Sequence, residues 1–186
     1  MKHKTHRVVS INILYFLIII TYYFHRFYNI SAEDLIYYLI PTTFLTSFFS
    51  TLPDFIEGDG WKNHRTWAHS LNILTFIILI LFILKYVIIS YSYNIGLISI
   101  VEFNYTVLLT SILIGWGSHL LLDFFTDTGI PLLYPLFKER IQIYKFSTYA
   151  NDSNEQCLFS IMNFIFMFQI IILISILIKH FKILSI

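Results

Sequence analysis

The stretch HRTWAHSLNILTFIILILFILKYVIIS, residues 64–90, places a polar cluster directly before an apolar run whose one charged residue is Lys85. A helix rises 1.5 Å per residue, so the run from Leu71 to Ser90 spans about 30 Å, the thickness of a bilayer's hydrocarbon core. We therefore expect a membrane-spanning helix there, with His64, Arg65 and His69 at one membrane surface.

Four further apolar segments repeat this pattern: Val8 to Phe24, Leu35 to Leu52, Tyr105 to Phe125 and Leu158 to Ile178. The chain is 57% hydrophobic and 12% charged, about half the charged fraction of an ordinary soluble domain. The sequence predicts an all-α, polytopic membrane bundle of about five helices, forming a single integral membrane domain over residues 1–186. A re-entrant pair is the alternative for the two short first segments, the second of which carries Pro41.

Charge and cysteine content exclude several classes. The net charge of +1 offers no concentrated basic face for nucleic acid. Cys157 is the single cysteine, which excludes an internal disulfide and a cysteine zinc cage.

If all five segments cross the membrane, the polar clusters fall on one side. His6 precedes the first segment, Asp54 follows the second, His69 introduces the third, and His119 and Asp123 end the fourth. Eight of the twelve basic residues lie on that side: Lys2, Lys4, Arg7, Lys62, Arg65, Lys138, Arg140 and Lys145. The positive-inside rule then predicts a multi-pass protein of the inner (plasma) membrane with a cytoplasmic N-terminus.

The fourth segment carries His119 and Asp123 four residues apart, on one helical face. An ionisable residue inside a membrane helix costs several kcal/mol unless it is paired or bound to metal, so function is the first hypothesis. A structural His–Asp hydrogen bond between packed helices is the alternative.

The segment from His64 to Ser70 has two histidines with Arg65 between them. Neutral imidazole binds zinc, manganese and iron, and a guanidinium can hold a phosphate with two parallel hydrogen bonds. We interpret His64 and His69 as metal ligands and Arg65 as an anion-binding group. A solvated, positive-inside loop is the alternative.

Asp54 and His6 carry weaker signals. Carboxylate oxygens complete mixed His/Asp sites for catalytic divalent metals, so both residues are candidate ligands and nearby Glu57 is a candidate general base. Taken alone, Asp54 after Pro53 is typical of a turn, and His6 of a solvated tail.

Together these motifs resemble a known family. His6, the LPD at Leu52–Asp54, the HRTWAHSL beginning at His64 and the GWGSHLLLDFFTDTGIPLLYP beginning at Gly115 are similar to the LexA-regulated, inner-membrane-associated family of metal-dependent hydrolases. The resemblance implies a divalent-metal hydrolase whose site positions are His6, Asp54, His64, Arg65, His69, His119 and Asp123. The family pattern LPDxD has a second aspartate where this chain has Ile56. Either the adjacent Glu57 takes over that role, or the site has one carboxylate fewer.

The leading hypothesis is metal-assisted hydrolysis at the membrane surface, with zinc or manganese as the expected ion. The membrane lipids around such a site suggest a lipid or membrane-adjacent phosphoester as substrate. A non-catalytic protein that binds metal, or uses the polar cluster for helix packing, is the rival, and an inactive member of the family is a third hypothesis. The sequence leaves the oligomeric state undetermined.

Overall fold

The computed structural model of the protein describes residues 3–24, 32–58, 65–93, 98–126, 129–141 and 153–184. These ranges contain six helices: α1 (His3–Phe24), α2 (Ala32–Phe49), α3 (Leu52–Glu57), α4 (Leu71–Tyr93), α5 (Ile98–Phe124) and α6 (Ser153–Leu184). No β-strand occurs within these ranges, where Ile130 and Ile141 form an isolated antiparallel bridge.

Five helical stretches are long and apolar enough to cross a membrane, with α2 and α3 together forming one of them. The predicted all-α membrane bundle of five helices is therefore confirmed. Pro41 lies inside α2 and does not end it.

The helices extend beyond the apolar segments that predicted them. α1 begins at His3 rather than Val8, α5 at Ile98 rather than Tyr105, and α6 at Ser153 rather than Leu158. Hydrophobicity marks the hydrocarbon core, whereas helical hydrogen bonding continues into the headgroup region, where polar side chains are tolerated. As a result His6 lies in the first turn of a helix and not in a tail.

α5 is the central helix of the bundle. It packs against α1, α2 and α4, while α6 packs mainly on α1. More than half of the α5 span (56%) is buried, against 6% of the α4 span. The indole Nε1 of Trp116 on α5 donates a hydrogen bond to the Ala68 carbonyl at 3.0 Å. This bond ties the segment that precedes α4 to the centre of the bundle.

The segment after α5 returns to the start of α4. The backbone N–H of Leu71 donates to the carbonyl of Leu132 at 2.8 Å, and the Asn72 amide donates to the carbonyl of Tyr134 at 3.1 Å. The start of α1 also contacts α6, because the Thr5 hydroxyl donates to the Glu155 carboxylate at 2.8 Å. The start of α1, the end of α2, the start of α4, the end of α5 and the start of α6 therefore meet at one end of the bundle.

α2 and α5 approach each other at Gly115. A Cβ atom at this position would lie 2.6 Å from the carbonyl oxygen of Thr46 and 2.9 Å from Cβ of Phe49. Gly117 differs, since a Cβ added there would meet no atom of the described chain within 4 Å. Of these two glycines, Gly115 thus lies at the close contact between α2 and α5 and Gly117 does not.

We expect Gly115→Ala to lower the free energy of unfolding by about 1–3 kcal/mol, because the added methyl group forces α2 away from α5. Gly117→Ala is the matched control and should be neutral or stabilising by up to about 1 kcal/mol, since alanine favours helix. Thermal unfolding in detergent, followed by tryptophan fluorescence, measures both changes. Equal midpoints for the two variants would contradict the close contact.

Candidate metal centre

Four buried side chains converge at the end of the bundle where the helix termini meet. Asp54 comes from α3, His69 from the turn before α4, and His119 and Asp123 from the last turns of α5. Each offers one ligand atom, and the four atoms lie within 4.8 Å of one another. The four residues come from three stretches of the sequence, and the fold brings them together.

The distances between these atoms match a coordination sphere. Nε2 of His69 lies 3.0 Å from Nε2 of His119, 3.1 Å from Oδ1 of Asp54 and 3.4 Å from Oδ2 of Asp123. Nε2 of His119 lies 3.5 Å from the same two carboxylate oxygens. A tetrahedral ion with bonds of about 2.0–2.2 Å needs ligand atoms about 3.3–3.6 Å apart. The donor set therefore fits a divalent ion with small adjustments.

Backbone and carboxylate partners fix the orientation of both imidazole rings. Nδ1 of His119 lies 2.7 Å from the carbonyl oxygen of Ser50, which can only accept a hydrogen bond, so Nδ1 carries the proton. Nδ1 of His69 lies 2.9 Å from the carboxylate of Glu57 and is protonated for the same reason. In each ring, Nδ1 donates to its partner and Nε2 is the nitrogen that faces the cluster, the arrangement that metal-binding histidines share.

Glu57 is held in one position by several donors. Its carboxylate accepts the backbone N–H of Thr66 at 2.8 Å, the Thr66 hydroxyl at 3.0 Å and the backbone N–H of Ala68 at 2.7 Å. Glu57 thus fixes the turn that carries His69 as well as the ring itself. α3 ends directly after it at Gly58, whose positive φ of 69° suits glycine.

The carboxylates also set the charge of His69. Burial disfavours the imidazolium, but the hydrogen bonds to Asp54 and Glu57 outweigh this effect and raise the pKa of His69 to about 9. In the metal-free protein at pH 7, a proton on His69 therefore reduces the repulsion among the four ligand atoms.

Arg65 is buried and directed inward. Its Nη2 donates to Oδ1 of Asp123 at 3.0 Å, and its Nη1 donates to the hydroxyl of Thr126. The residue has a positive φ of 63°, a conformation that costs about 1–2 kcal/mol outside glycine and is maintained by surrounding contacts. The alternative of a solvated loop therefore does not hold for Arg65.

His6 lies against the cluster without joining the four ligand atoms. Its ring is fully buried and stacks on His119 with ring centroids 4.1 Å apart, and its Nε2 lies 3.6 Å from Oδ1 of Asp123. Neither ring nitrogen makes a hydrogen bond to the described part of the chain. A buried imidazole with two open nitrogens is costly unless a ligand or ion completes it.

His3 is a residue that the sequence interpretation missed. Its Nδ1 lies 3.5 Å from Oδ2 of Asp54, and its side chain is half exposed. The available signal was the spacing of three residues between His3 and His6, which places both on one face of α1. Ser50 was missed as well, and a backbone carbonyl leaves no signature in the sequence.

The remaining predicted positions are placed as follows. His64 lies outside the described residues. Asp54 is buried in the cluster, so it is more than a turn residue. Ile56 is 41% exposed, while the adjacent Glu57 reaches Nδ1 of His69 rather than the four ligand atoms.

Comparison with known proteins agrees with the location inferred from the fold. A sequence model of the YdjM inner membrane protein family matches residues 1–182. No curated protein and no solved structure matches the chain. Because the match covers nearly all of the 186 residues and five helices can span a bilayer, the chain belongs to the YdjM inner membrane protein family and is a multi-pass inner membrane protein.

Proposed function

We propose that the protein binds a divalent metal ion at Asp54, His69, His119 and Asp123, and that it is a membrane-bound metal-dependent hydrolase. One observation carries the proposal: four buried acceptor atoms face each other at about the edge length of a metal coordination sphere. In a medium of low dielectric, such a group needs a cation among its members. Regulation by LexA, also implied by the resemblance, stays a prediction.

Mixed nitrogen and oxygen donors select the kind of ion. Two imidazoles and two carboxylates suit zinc or manganese, and the absence of thiolates from the cluster disfavours soft ions. When bound, such an ion activates water as a nucleophile near neutral pH and polarises a phosphoryl or acyl oxygen. Hydrolysis requires a coordination position beyond the four protein ligands, which favours an ion that accepts five or six ligands.

We assign the surrounding residues distinct roles. Glu57 was predicted as a general base, but its bonds to the turn and to His69 suit a positioning residue. Arg65 positions Asp123 through the hydrogen bond that its Nη2 donates to Oδ1. His6 has open ring nitrogens next to the cluster, so it is the better candidate to accept a proton from water or to contact the substrate.

The position of the site suggests a substrate at the membrane surface. Large apolar side chains near it are exposed, with Phe55 beside Asp54 at 81%, Trp67 before His69 at 43% and Leu136 at 75%. Exposed aromatic groups at helix ends are typical of the headgroup region. We therefore propose a phosphoester in a lipid headgroup as substrate, on the cytoplasmic face that the basic residues indicate.

A structural metal site is the second candidate. Four protein ligands without an open position are the usual composition of structural zinc sites, and all four residues here are buried. Metal would then hold α3, α4 and α5 together without chemistry.

We expect the purified protein to contain about one divalent ion per chain and Asp123→Asn to contain less than about a tenth of that amount, because an amide cannot replace the carboxylate ligand. Asp34→Asn, at an exposed carboxylate at the other end of α2, is the matched control and should keep the metal. Elemental analysis after detergent purification gives the metal content. Phosphate release from phosphatidic acid then distinguishes a catalytic metal site from a structural one. If the native protein contains no metal, both the hydrolase and the structural metal site are overturned.

The positioning role of Glu57 predicts that Glu57→Gln weakens metal binding by about 10–100-fold, as loss of an orienting partner does in other metal sites. Glu102→Gln, at an exposed glutamate near the start of α5, is the control and should bind metal normally. Competition with a fluorescent chelator measures both affinities. If Glu57→Gln keeps its metal affinity but loses hydrolytic activity, Glu57 is the general base instead.

The pKa of His69 predicts a pH dependence of metal binding. With this pKa raised to about 9, the ring is protonated at pH 7, and the ion must displace about one proton to reach the lone pair of Nε2. Affinity should therefore increase by about tenfold per pH unit from pH 7 and level off above pH 9. Calorimetry in two buffers of different ionisation enthalpy counts the released proton, and a pH-independent affinity would contradict this coupling.

A further inference from the structure

An apolar groove of about 430 Å³ lies between α1 and α2. Ile11 and Tyr15 form its α1 wall, and Ile40, Thr43, Phe44 and Ser47 line its α2 wall. Both walls belong to candidate membrane spans, so the groove opens towards hydrocarbon rather than water.

Along the axes of α1 and α2, the groove begins about one turn from the level of the metal centre. Ile11 follows His6 by five residues, and Ser47 precedes Ser50, the partner of His119, by three. At 1.5 Å per residue, the upper end of the groove lies about 5–8 Å from the level of the site along the two helix axes. The lower end, at Leu39, lies about 16 Å below Ser50.

The lining suits a hydrocarbon chain. The side chains of Ile40 and Phe44 are 67% and 72% exposed at the rim, and both are apolar. The hydroxyl of Thr43 donates to the hydroxyl of Tyr15 at 3.3 Å, which leaves less hydrogen-bonding capacity for a polar ligand. No charged residue lines the groove within the described ranges. An acyl chain is therefore the ligand of matching chemistry.

We propose that the α1–α2 groove binds one acyl chain of a lipid whose phosphate group lies at the metal centre. This inference rests on the proposed function and defines its substrate as a long-chain phospholipid rather than a free phosphoester. Binding energy from the chain would hold the headgroup against His6 and the four ligand residues.

The labelling experiment uses the unmodified protein in phosphatidylcholine nanodiscs. The probe is phosphatidic acid with a photoreactive diazirine in one acyl chain, and cross-linked peptides are identified by mass spectrometry. We expect labelling of the groove residues to exceed labelling of Leu79 and Ile83, which are exposed apolar positions on α4. A diacylglycerol probe without phosphate should label the groove at least about tenfold less, since it lacks the headgroup contact.

The kinetic experiment uses variants whose larger side chains fill the groove. Thr43→Trp should lower kcat/KM for long-chain phosphatidic acid by about tenfold or more while leaving the soluble dihexanoyl analogue within about twofold, because only the long chain needs the groove. Leu79→Trp on the exposed face of α4 is the matched control and should change neither. Ser47→Phe provides a second filling variant if Thr43→Trp does not fold.

The outcomes separate this inference from the proposed function. Groove labelling no stronger than α4 labelling would overturn the acyl-chain site, as would equal losses on long and short substrates. Absence of phosphate release from every substrate would overturn the hydrolase, and the labelling result would still decide whether the groove holds a phospholipid chain.

Discussion

The structure depends on bringing two carboxylates and two imidazole lone pairs together at a buried site. Atoms that all accept hydrogen bonds repel one another at separations of 3.0–3.5 Å, and burial removes the solvent that would screen them. The repulsion is relieved by a positive charge, which a proton on His69 supplies in part and a divalent ion supplies fully. The surrounding contacts, from the Ser50 carbonyl to the Arg65 guanidinium, hold the acceptors in place against this repulsion.

Helix packing also holds the ligand residues close together. The carbonyl of Ser50 reaches His119 because Gly115 lets the end of α2 lie directly against α5. The turn before α4 is held on its other side by Glu57 and by the indole of Trp116. Each ligand ring is thus oriented by an element other than the one that carries it. Metal affinity and bundle stability should therefore change together when these contacts are altered.

Much of this arrangement followed from the sequence. Alternating crossings placed His6, Asp54, His69 and His119 on one side, and helical spacing paired His119 with Asp123. The finer contacts depend on loop conformation, which periodicity does not encode. Arg65 turns inward because its backbone adopts a positive φ, and Glu57 reaches His69 because α3 stops at Gly58. The first helix starts earlier than its apolar segment, so the apolar pattern did not place His3 on a helix, and only its spacing of three residues from His6 pointed to it.

α1 connects the candidate metal centre to the apolar groove. Its first turns place His6 over His119, and the following turns supply Ile11 and Tyr15 to the groove. The His6 ring lies against the cluster, with Nε2 3.6 Å from Oδ1 of Asp123, and neither ring nitrogen makes a hydrogen bond to the described part of the chain. A purely structural metal site would gain nothing from this arrangement, because burying an imidazole without hydrogen bonds costs free energy. The position of His6 therefore favours a site that exchanges ligands over one that serves only to join helices.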